Sequence, residues 1–368
     1  MKEIKVLVVD DSALMRKIVS DMINEEKDME VVDTAKNGED LFKKLDKKPD
    51  VITLDVEMPI LNGIDALKRL KSNNCDIPVI MLSSLSKRGT ELTMECLESG
   101  AFDFIAKPSG AISLDINKVK EDVVEKIRIA YLKFGKKVDY TQCSCISNKR
   151  EYSVNVNANA SVNKSPQSKI NMRGKKIDQK INAVAIGAST GGPKALYEVI
   201  TRLPELNVPV FVVQHMPSGF TKAFSERLNL NSKLKVVEVE DNMAIEKNTV
   251  YIAKGGYHME IGVDKRIHLN LEPSIWGVRP AVDKLFISAS AVYKENLLSV
   301  VLTGMGRDGA EGTSVIKDAG GITISQDENT CTIYGMPKAA FETGKVDEVL
   351  PLSYIADRIS NIVLKRGV

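Results

Sequence analysis

Ile186-Gly187-Ala188-Ser189-Thr190-Gly191-Gly192-Pro193 continues the apolar run Ala183-Val184-Ala185-Ile186 and leads into a helical pattern from Ala195 to Arg202. The segment reads as strand, tight turn, helix, the unit from which α/β folds are built. A serine stands at the apex in the pattern Gly187-x-Ser189-x-Gly191, which fits a nucleophile elbow. Small residues on both sides let the backbone turn sharply and let a substrate carbonyl approach main-chain N–H groups. Pro193 suits a first helical turn, where its missing N–H costs nothing. The helix N-terminus favours the negative charge that acyl transfer develops. The competing reading is a phosphate-binding loop or a plain turn. No Gly-Lys-Ser/Thr follows, and the glycine spacing is not GxGxxG.

The βα rhythm extends in both directions. Upstream, apolar runs at Lys5–Asp10, Val31–Ala35, Val51–Leu54, Val79–Leu82 and Phe102–Ala106 alternate with helical stretches, the last at Asn117–Phe134. Five βα units predict a parallel, flavodoxin-like sheet with helices on both faces, spanning residues 1–135. Residues 136–180 carry ten lysines and arginines against three acids, with few large apolar side chains. Such a stretch cannot offset its chain entropy by burial, so a flexible linker is expected. From 181 to 368 the alternation resumes, with strands expected at Ala183–Ile186, Val208–Gln214, Lys235–Glu240, Leu298–Thr303 and Ile322–Ser325. Thr249–Ala253, Met259–Val263 and Ile267–Leu271 are short and closely spaced, and are read as a small antiparallel extension of a doubly wound second domain.

Charge and cysteines narrow the class. The linker sums to +7 within a total of +2, so the remaining residues sum to −5. That balance argues against nucleic acid as a partner. No apolar run approaches the length of a membrane span. Met1-Lys2-Glu3-Ile4-Lys5 runs into a strand without the shape of a signal peptide, so a cytoplasmic chain is expected. The five cysteines are scattered without CxxC or Cys/His spacing and read as free thiols, with Cys143-Ser144-Cys145 incidental.

Two groups of strand ends carry chemistry. Asp10 and Asp11 end the first strand, Asp55 the third, Ser83 the fourth, and Lys107-Pro108 follows the fifth. Sites in doubly wound sheets form outside the carboxyl ends of strands. Three carboxylates converging there repel one another unless a hard cation such as Mg²⁺ joins them. With a lysine and a hydroxyl alongside, an aspartate could accept a phosphoryl group. The bland alternative is that such residues only cap helices. In the second half, Ser189 needs a base and the base an orienting acid. Of the three histidines, His215 follows the strand Val208–Gln214 and is favoured; His258, in a Gly-rich loop, is the alternative. Asp308 lies in Thr303-Gly304-Met305-Gly306-Arg307-Asp308-Gly309, a Gly-rich turn after another buried strand. The order Ser189, His215, Asp308 is not that of α/β-hydrolases. A response regulator with a DNA-binding output would need a basic helix-turn-helix, and none is evident.

Asp10-Asp11, Asp55-Val56-Glu57-Met58-Pro59, Ser83 and Lys107-Pro108 resemble a response-regulator receiver domain. That resemblance implies phosphorylation at Asp55, Mg²⁺ on Asp10, Asp11 and Asp55, Ser83 as switch hydroxyl and Lys107 against the phosphoryl group. Gly187-Ala188-Ser189-Thr190-Gly191-Gly192-Pro193, Gln214-His215-Met216-Pro217, Gly277-Val278-Arg279-Pro280-Ala281-Val282-Asp283 and the Thr303–Gly309 turn resemble the CheB family of chemotaxis protein-glutamate methylesterases. Together the two resemblances cover essentially the whole chain. The second implies Ser189 as nucleophile, His215 as base, Asp308 as its orienter, and Thr190, Gly191 and the Met305 N–H around the oxyanion. It implies no cofactor for the hydrolase, methyl-accepting chemoreceptors as substrates, glutaminase activity, and a chemotaxis histidine kinase as phosphodonor. Arg279 is read either as a contact to an acidic receptor surface or as a structural group.

Overall fold

The computed structural model describes residues 4–107, 116–135, 138, 140, 143 and 179–365. The segment read as a linker, 136–180, lies outside the described residues apart from 138, 140, 143, 179 and 180, and Pro108 lies outside them as well.

The first half alternates β1 (Ile4–Val9), α1 (Ala13–Asn24), β2 (Met29–Ala35), α2 (Gly38–Lys43), β3 (Val51–Asp55), α3 (Gly63–Ser72), β4 (Val79–Ser83), α4 (Lys87–Glu98), β5 (Asp103–Ala106) and α5 (Ile116–Lys133). The sheet order is β2-β1-β3-β4-β5, with every pairing parallel. β3 and β4 are buried along their whole length, which explains their continuous apolar runs rather than a period of two. Helix starts are fixed by side-chain caps: Ser12, Asn37, Asn62 and Ser86 each accept an amide of the following turn.

The second half runs β6 (Ala183–Ala188), α6 (Gly192–Arg202), β7 (Val210–Gln214), α7 (Phe220–Asn231), β8 (Lys235–Glu238), β9 (Met243–Ala244), β10 (Thr249–Ile252), β11 (His258–Ile261), β12 (Arg266–Asn270), α8 (Val282–Tyr293), β13 (Leu297–Val301), α9 (Ala310–Asp318), β14 (Ile322–Gln326), α10 (Met336–Glu342), β15 (Glu348–Leu350) and α11 (Leu352–Leu364). Seven parallel strands form a sheet in the order β15-β14-β13-β6-β7-β10-β8. β6 is central, with β13 on one side and β7 on the other. A separate antiparallel sheet has the order β11-β12-β9.

Two expectations are corrected. Thr249–Ile252 is not part of the antiparallel extension: it is a fully buried parallel strand between β7 and β8, and the small sheet takes Met243–Ala244 as its third strand instead. A four-residue apolar run carries no signal for strand direction. The cysteines are not all free. Cys75 and Cys143 are joined by a disulfide, with Cα atoms 4.6 Å apart, and both are buried. Their separation of 68 residues left nothing local to read. Cys96 and Cys331 are free and buried.

Candidate active site

The turn after β6 is held from three directions. Gly192 N donates to Ser189 O at 2.7 Å, closing it. Ser189 N donates to Thr303 O at 3.0 Å, and His215 N donates to Ala188 O at 3.1 Å. The serine is thus fixed between the ends of β13 and β7. Gly191 has φ +75°, and a Cβ there would lie 2.3 Å from the Thr332 side chain. A Cβ on Gly192 would lie 2.0 Å from Gln214 Oε1. The small residues that marked this turn in the sequence are therefore a packing requirement.

His215 and Asp308 are brought together: Nε2 lies 2.8 Å from Oδ2. Asp308 is buried and also accepts Val282 N at 2.6 Å and Asp283 N at 2.9 Å. Burial alone would raise its pKa, but the His215 hydrogen bond and charge, with the two amides, hold it below the ordinary carboxylate value. An ionised Asp308 only accepts, so Nε2 is the donor in this bond and Nδ1 is the ring nitrogen left over. Among the described residues, no hydrogen bond joins Ser189 Oγ to the His215 ring; such bonds often tighten only when substrate binds.

The other histidines are elsewhere engaged. His258 is fully buried, with Nε2 3.1 Å from Pro273 O and Nδ1 accepting Ala281 N at 3.2 Å. Burial lowers its pKa, and both ring nitrogens are engaged by main-chain groups. His268 pairs with Asp264 on the small sheet. Arg279 Nη1 donates to Leu271 O and Glu272 O at 2.9 and 2.8 Å.

Sequence reasoning missed the segment before α10. Ile333 O accepts Gly304 N at 3.1 Å, and Gly335 N and Met336 N donate to Gly304 O at 3.1 and 2.8 Å. Thr303 Oγ1 lies 3.0 Å from Thr190 O and 3.2 Å from Ile333 O. Residues 332–336 therefore brace both the Ser189 turn and the loop carrying Met305, which is partly exposed. The available signal was position: this loop follows β14, next to β13. A Cβ on Gly304 would lie 2.3 Å from Met336 Sδ and 2.8 Å from Ser189 Cβ. Gly304→Ala should therefore displace the serine and lower kcat by about 10²-fold while the chain stays folded. Steady-state rates and a thermal melt on the same preparation check this, and an unchanged kcat would contradict it.

At the first sheet, Lys107 Nζ lies 2.8 Å from both Asp10 Oδ2 and Asp55 Oδ1. Burial pushes the Asp55 carboxyl up to about 6 despite the pull of Lys107. Burial opposes the charge on Lys107, but the two carboxylates raise its pKa above the ordinary value. Asp10, Asp11 and Asp55 can offer oxygens all within 4.8 Å of one another, a hard-ligand set that suits a divalent cation. Ser83 is turned towards α4: its Oγ accepts from Thr93 Oγ1 at 2.6 Å and lies 3.2 Å from Gly89 O. Ser84 Oγ instead lies 3.1 Å from Glu57 Oε2.

Residues 184–359 match the family model described as CheB methylesterase, and residues 6–116 match the response regulator receiver domain. A protein-glutamate methylesterase/protein-glutamine glutaminase of Clostridium acetobutylicum is 54% identical over 99% of this chain and 99% of its own. A protein of the same name from Pyrococcus abyssi is 43% identical over 98% of this chain and 94% of its own. One from Bacillus subtilis is 43% identical over 99% of this chain and 100% of its own.

Proposed function

This chain belongs to the CheB methylesterase family, with a response-regulator receiver in front, and from that premise we propose that it is a phosphorylation-controlled serine hydrolase that demethylates glutamyl methyl esters on chemoreceptors. The observation that carries the reading is the ionised Asp308 bonded to His215 beside the clamped Ser189 turn. We divide the chain into a receiver at 1–135, a linker at 136–180 and a hydrolase at 181–368, acting in the cytoplasm.

In this mechanism Ser189 Oγ attacks the ester carbonyl carbon while His215 Nδ1 takes its proton. Main-chain N–H groups of the Thr190–Gly191 turn and of Met305 receive the oxyanion; loss of one such donor typically costs about 10²–10³-fold. The C–O bond to methanol breaks as His215 returns the proton to the leaving oxygen. Water, deprotonated by His215, then attacks the acyl-enzyme and releases glutamate and free Ser189. An amide substrate follows the same path with ammonia leaving, which gives the glutaminase activity.

Asp55 is the proposed phosphoryl acceptor, with a histidine kinase of the chemotaxis system as donor. Asp10, Asp11 and Asp55 would hold Mg²⁺, which neutralises phosphoryl oxygens when bound. Lys107 supplies a second positive charge. Ser83 is the proposed switch hydroxyl, and reaching a phosphoryl group at Asp55 would require it to leave its α4 partners Thr93 and Gly89.

The receiver is proposed to restrain the hydrolase until then. Glu98 at the end of α4 pairs with Arg227 of α7, with Nε 2.7 Å from Oε1. Phe104 packs on Phe220 with ring centroids 4.5 Å apart. Lys133 of α5 donates to the carbonyl of Cys331, next to the segment that braces Ser189. A phosphodonor with Mg²⁺ should raise wild-type methanol release from a methylated receptor fragment about tenfold, a bias of only about 1.4 kcal/mol. Asp55→Asn should remove the increase and keep the basal rate. If the wild type releases no methanol under either condition, the methylesterase reading falls; an undiminished response in Asp55→Asn would displace Asp55 as acceptor.

A further inference from the structure

α8 and α9 cap each other across the site. Neither has a capping side chain of its own: their N-cap residues are Ala281 and Gly309. The first amides of α8, Val282 N and Asp283 N, go instead to Asp308 Oδ2 and Oδ1, at 2.6 and 2.9 Å. In return Gly309 N and Gly312 N donate to Asp283 Oδ1, at 3.0 and 2.7 Å. The second oxygen of Asp283 accepts Trp276 Nε1 at 3.2 Å. Asp283 is 1% exposed, so water does not supply these bonds. The amide nearest Asp308 in the chain, that of Gly309, is thus gripped by the residue whose own amide holds Asp308.

We propose that Asp283 is a positioning residue for Asp308: its carboxylate pins the Asp308–Gly309 turn, and its amide fixes Asp308 Oδ1, so that Oδ2 stays directed at His215. This rests on the reading of Ser189, His215 and Asp308 as the catalytic set. Charge agrees with the geometry. Burial pushes the Asp283 carboxyl up to about 6, the Gly312 amide pulls it down, and Asp308 pushes it up again. A buried carboxyl beside a second one carries that cost where the turn it holds needs fixing.

The alternative is that Asp283 merely caps α9 and contributes to stability alone. Three variants of the full chain separate the two. Asp283→Ala removes the grip and should lower kcat about 10²-fold. KM should stay within about twofold, because substrate contacts are untouched. Asp283→Asn keeps an oxygen for the Gly309 and Gly312 amides, gives up only the acceptor of Trp276 Nε1, whose exposed ring can turn to water, and should recover to within about tenfold of wild type. Asp283→Ser, too short to reach both amides, should lose kcat about tenfold and carries the test if the alanine variant does not fold.

A second readout does not depend on methanol. With three histidines in the chain, ¹⁵N-histidine NMR can follow the Nε2 proton of His215. Asp283→Ala should weaken the Nε2 hydrogen bond, seen as an upfield shift and faster exchange of that proton, and Asp283→Asn should preserve the bond. Folded alanine or serine variants with wild-type kcat and an unchanged His215 signal would overturn the proposal. An asparagine variant as impaired as the alanine variant would overturn it too, since the amide grip would not be the cause. If the wild type releases no methanol yet the His215 signals change as described, the assigned activity fails while the positioning of Asp308 by Asp283 stands.

Discussion

Ser189→Ala should abolish methanol release from a methylated chemoreceptor fragment, with kcat falling about 10⁵-fold or more. The substitution removes one oxygen and leaves the turn intact. The contacts that hold the turn are the main-chain bonds to Thr303 and within Ser189–Gly192, together with packing against Gly304, and none involves Oγ. The fold should therefore be unaffected, with a stability change within about 0.5 kcal/mol. Substrate should still bind, so the loss falls on kcat. A serine-directed covalent probe should label the wild type and spare the variant. A variant that still turns over measurably above background would place the nucleophile elsewhere.

Asp308→Asn should lower kcat by about 10³–10⁴-fold, for reasons of tautomer and of hydrogen-bond supply. Asp308 accepts from three donors: His215 Nε2, Val282 N and Asp283 N. An asparagine amide has one oxygen and one donating nitrogen. Its NH₂ at the Oδ1 position would oppose the Asp283 amide; at the Oδ2 position it would oppose the Val282 amide and drive the His215 proton from Nε2 to Nδ1. In the second case the nitrogen needed by Ser189 is already protonated. A stability loss of about 1–3 kcal/mol should accompany the rate loss.

The pH dependence has a definite sign. The folded Asp308 carboxyl is held below its ordinary value. Its contribution to stability is therefore fully present above the unfolded value near 4 and is lost as pH falls through the lower folded value. Wild type and variant melts should differ most near neutrality and converge in acid. A gap that stayed constant down to acid pH would show that the charge is not the source.

What the chain disclosed in advance was what lies at the ends of buried strands. Asp10, Asp55 and Lys107 meet at one sheet, and Ser189 turns between the ends of β7 and β13 at the other, because parallel strands deliver their C-terminal residues to one edge. His215 follows such a strand end, that of β7, whereas His258 opens β11. What stayed hidden were contacts whose partners are distant and whose local sequence is ordinary. The bracing by Thr332 and Ile333 comes from the uncharged, glycine-poor second half of a loop whose acids, Asp327 and Glu328, lie at its start. The Cys75–Cys143 bridge needs two surfaces to meet that no spacing rule joins. Asp283 stood in the sequence only as the end of a motif, and the fold shows that it lies in the first turn of α8 while its carboxylate caps the neighbouring α9. The direction of β10 was illegible because a short buried strand reads the same in either sheet.

The placement of β6 between β7 and β13 also sets the order in which this molecule comes into being. Thr190 and its clamp Thr303 are 113 residues apart in the chain. At synthesis rates of ~5–20 residues per second, roughly 6–23 seconds separate their emergence from the ribosome. During that interval the nascent serine has neither its acid nor its bracing loop. The first sheet, whose pairings close within residues 4–106, has by then had every strand available. If the receiver restrains the hydrolase as proposed, the restraining sheet can be in place before the activity exists, and a half-made chain has no unregulated hydrolysis to perform.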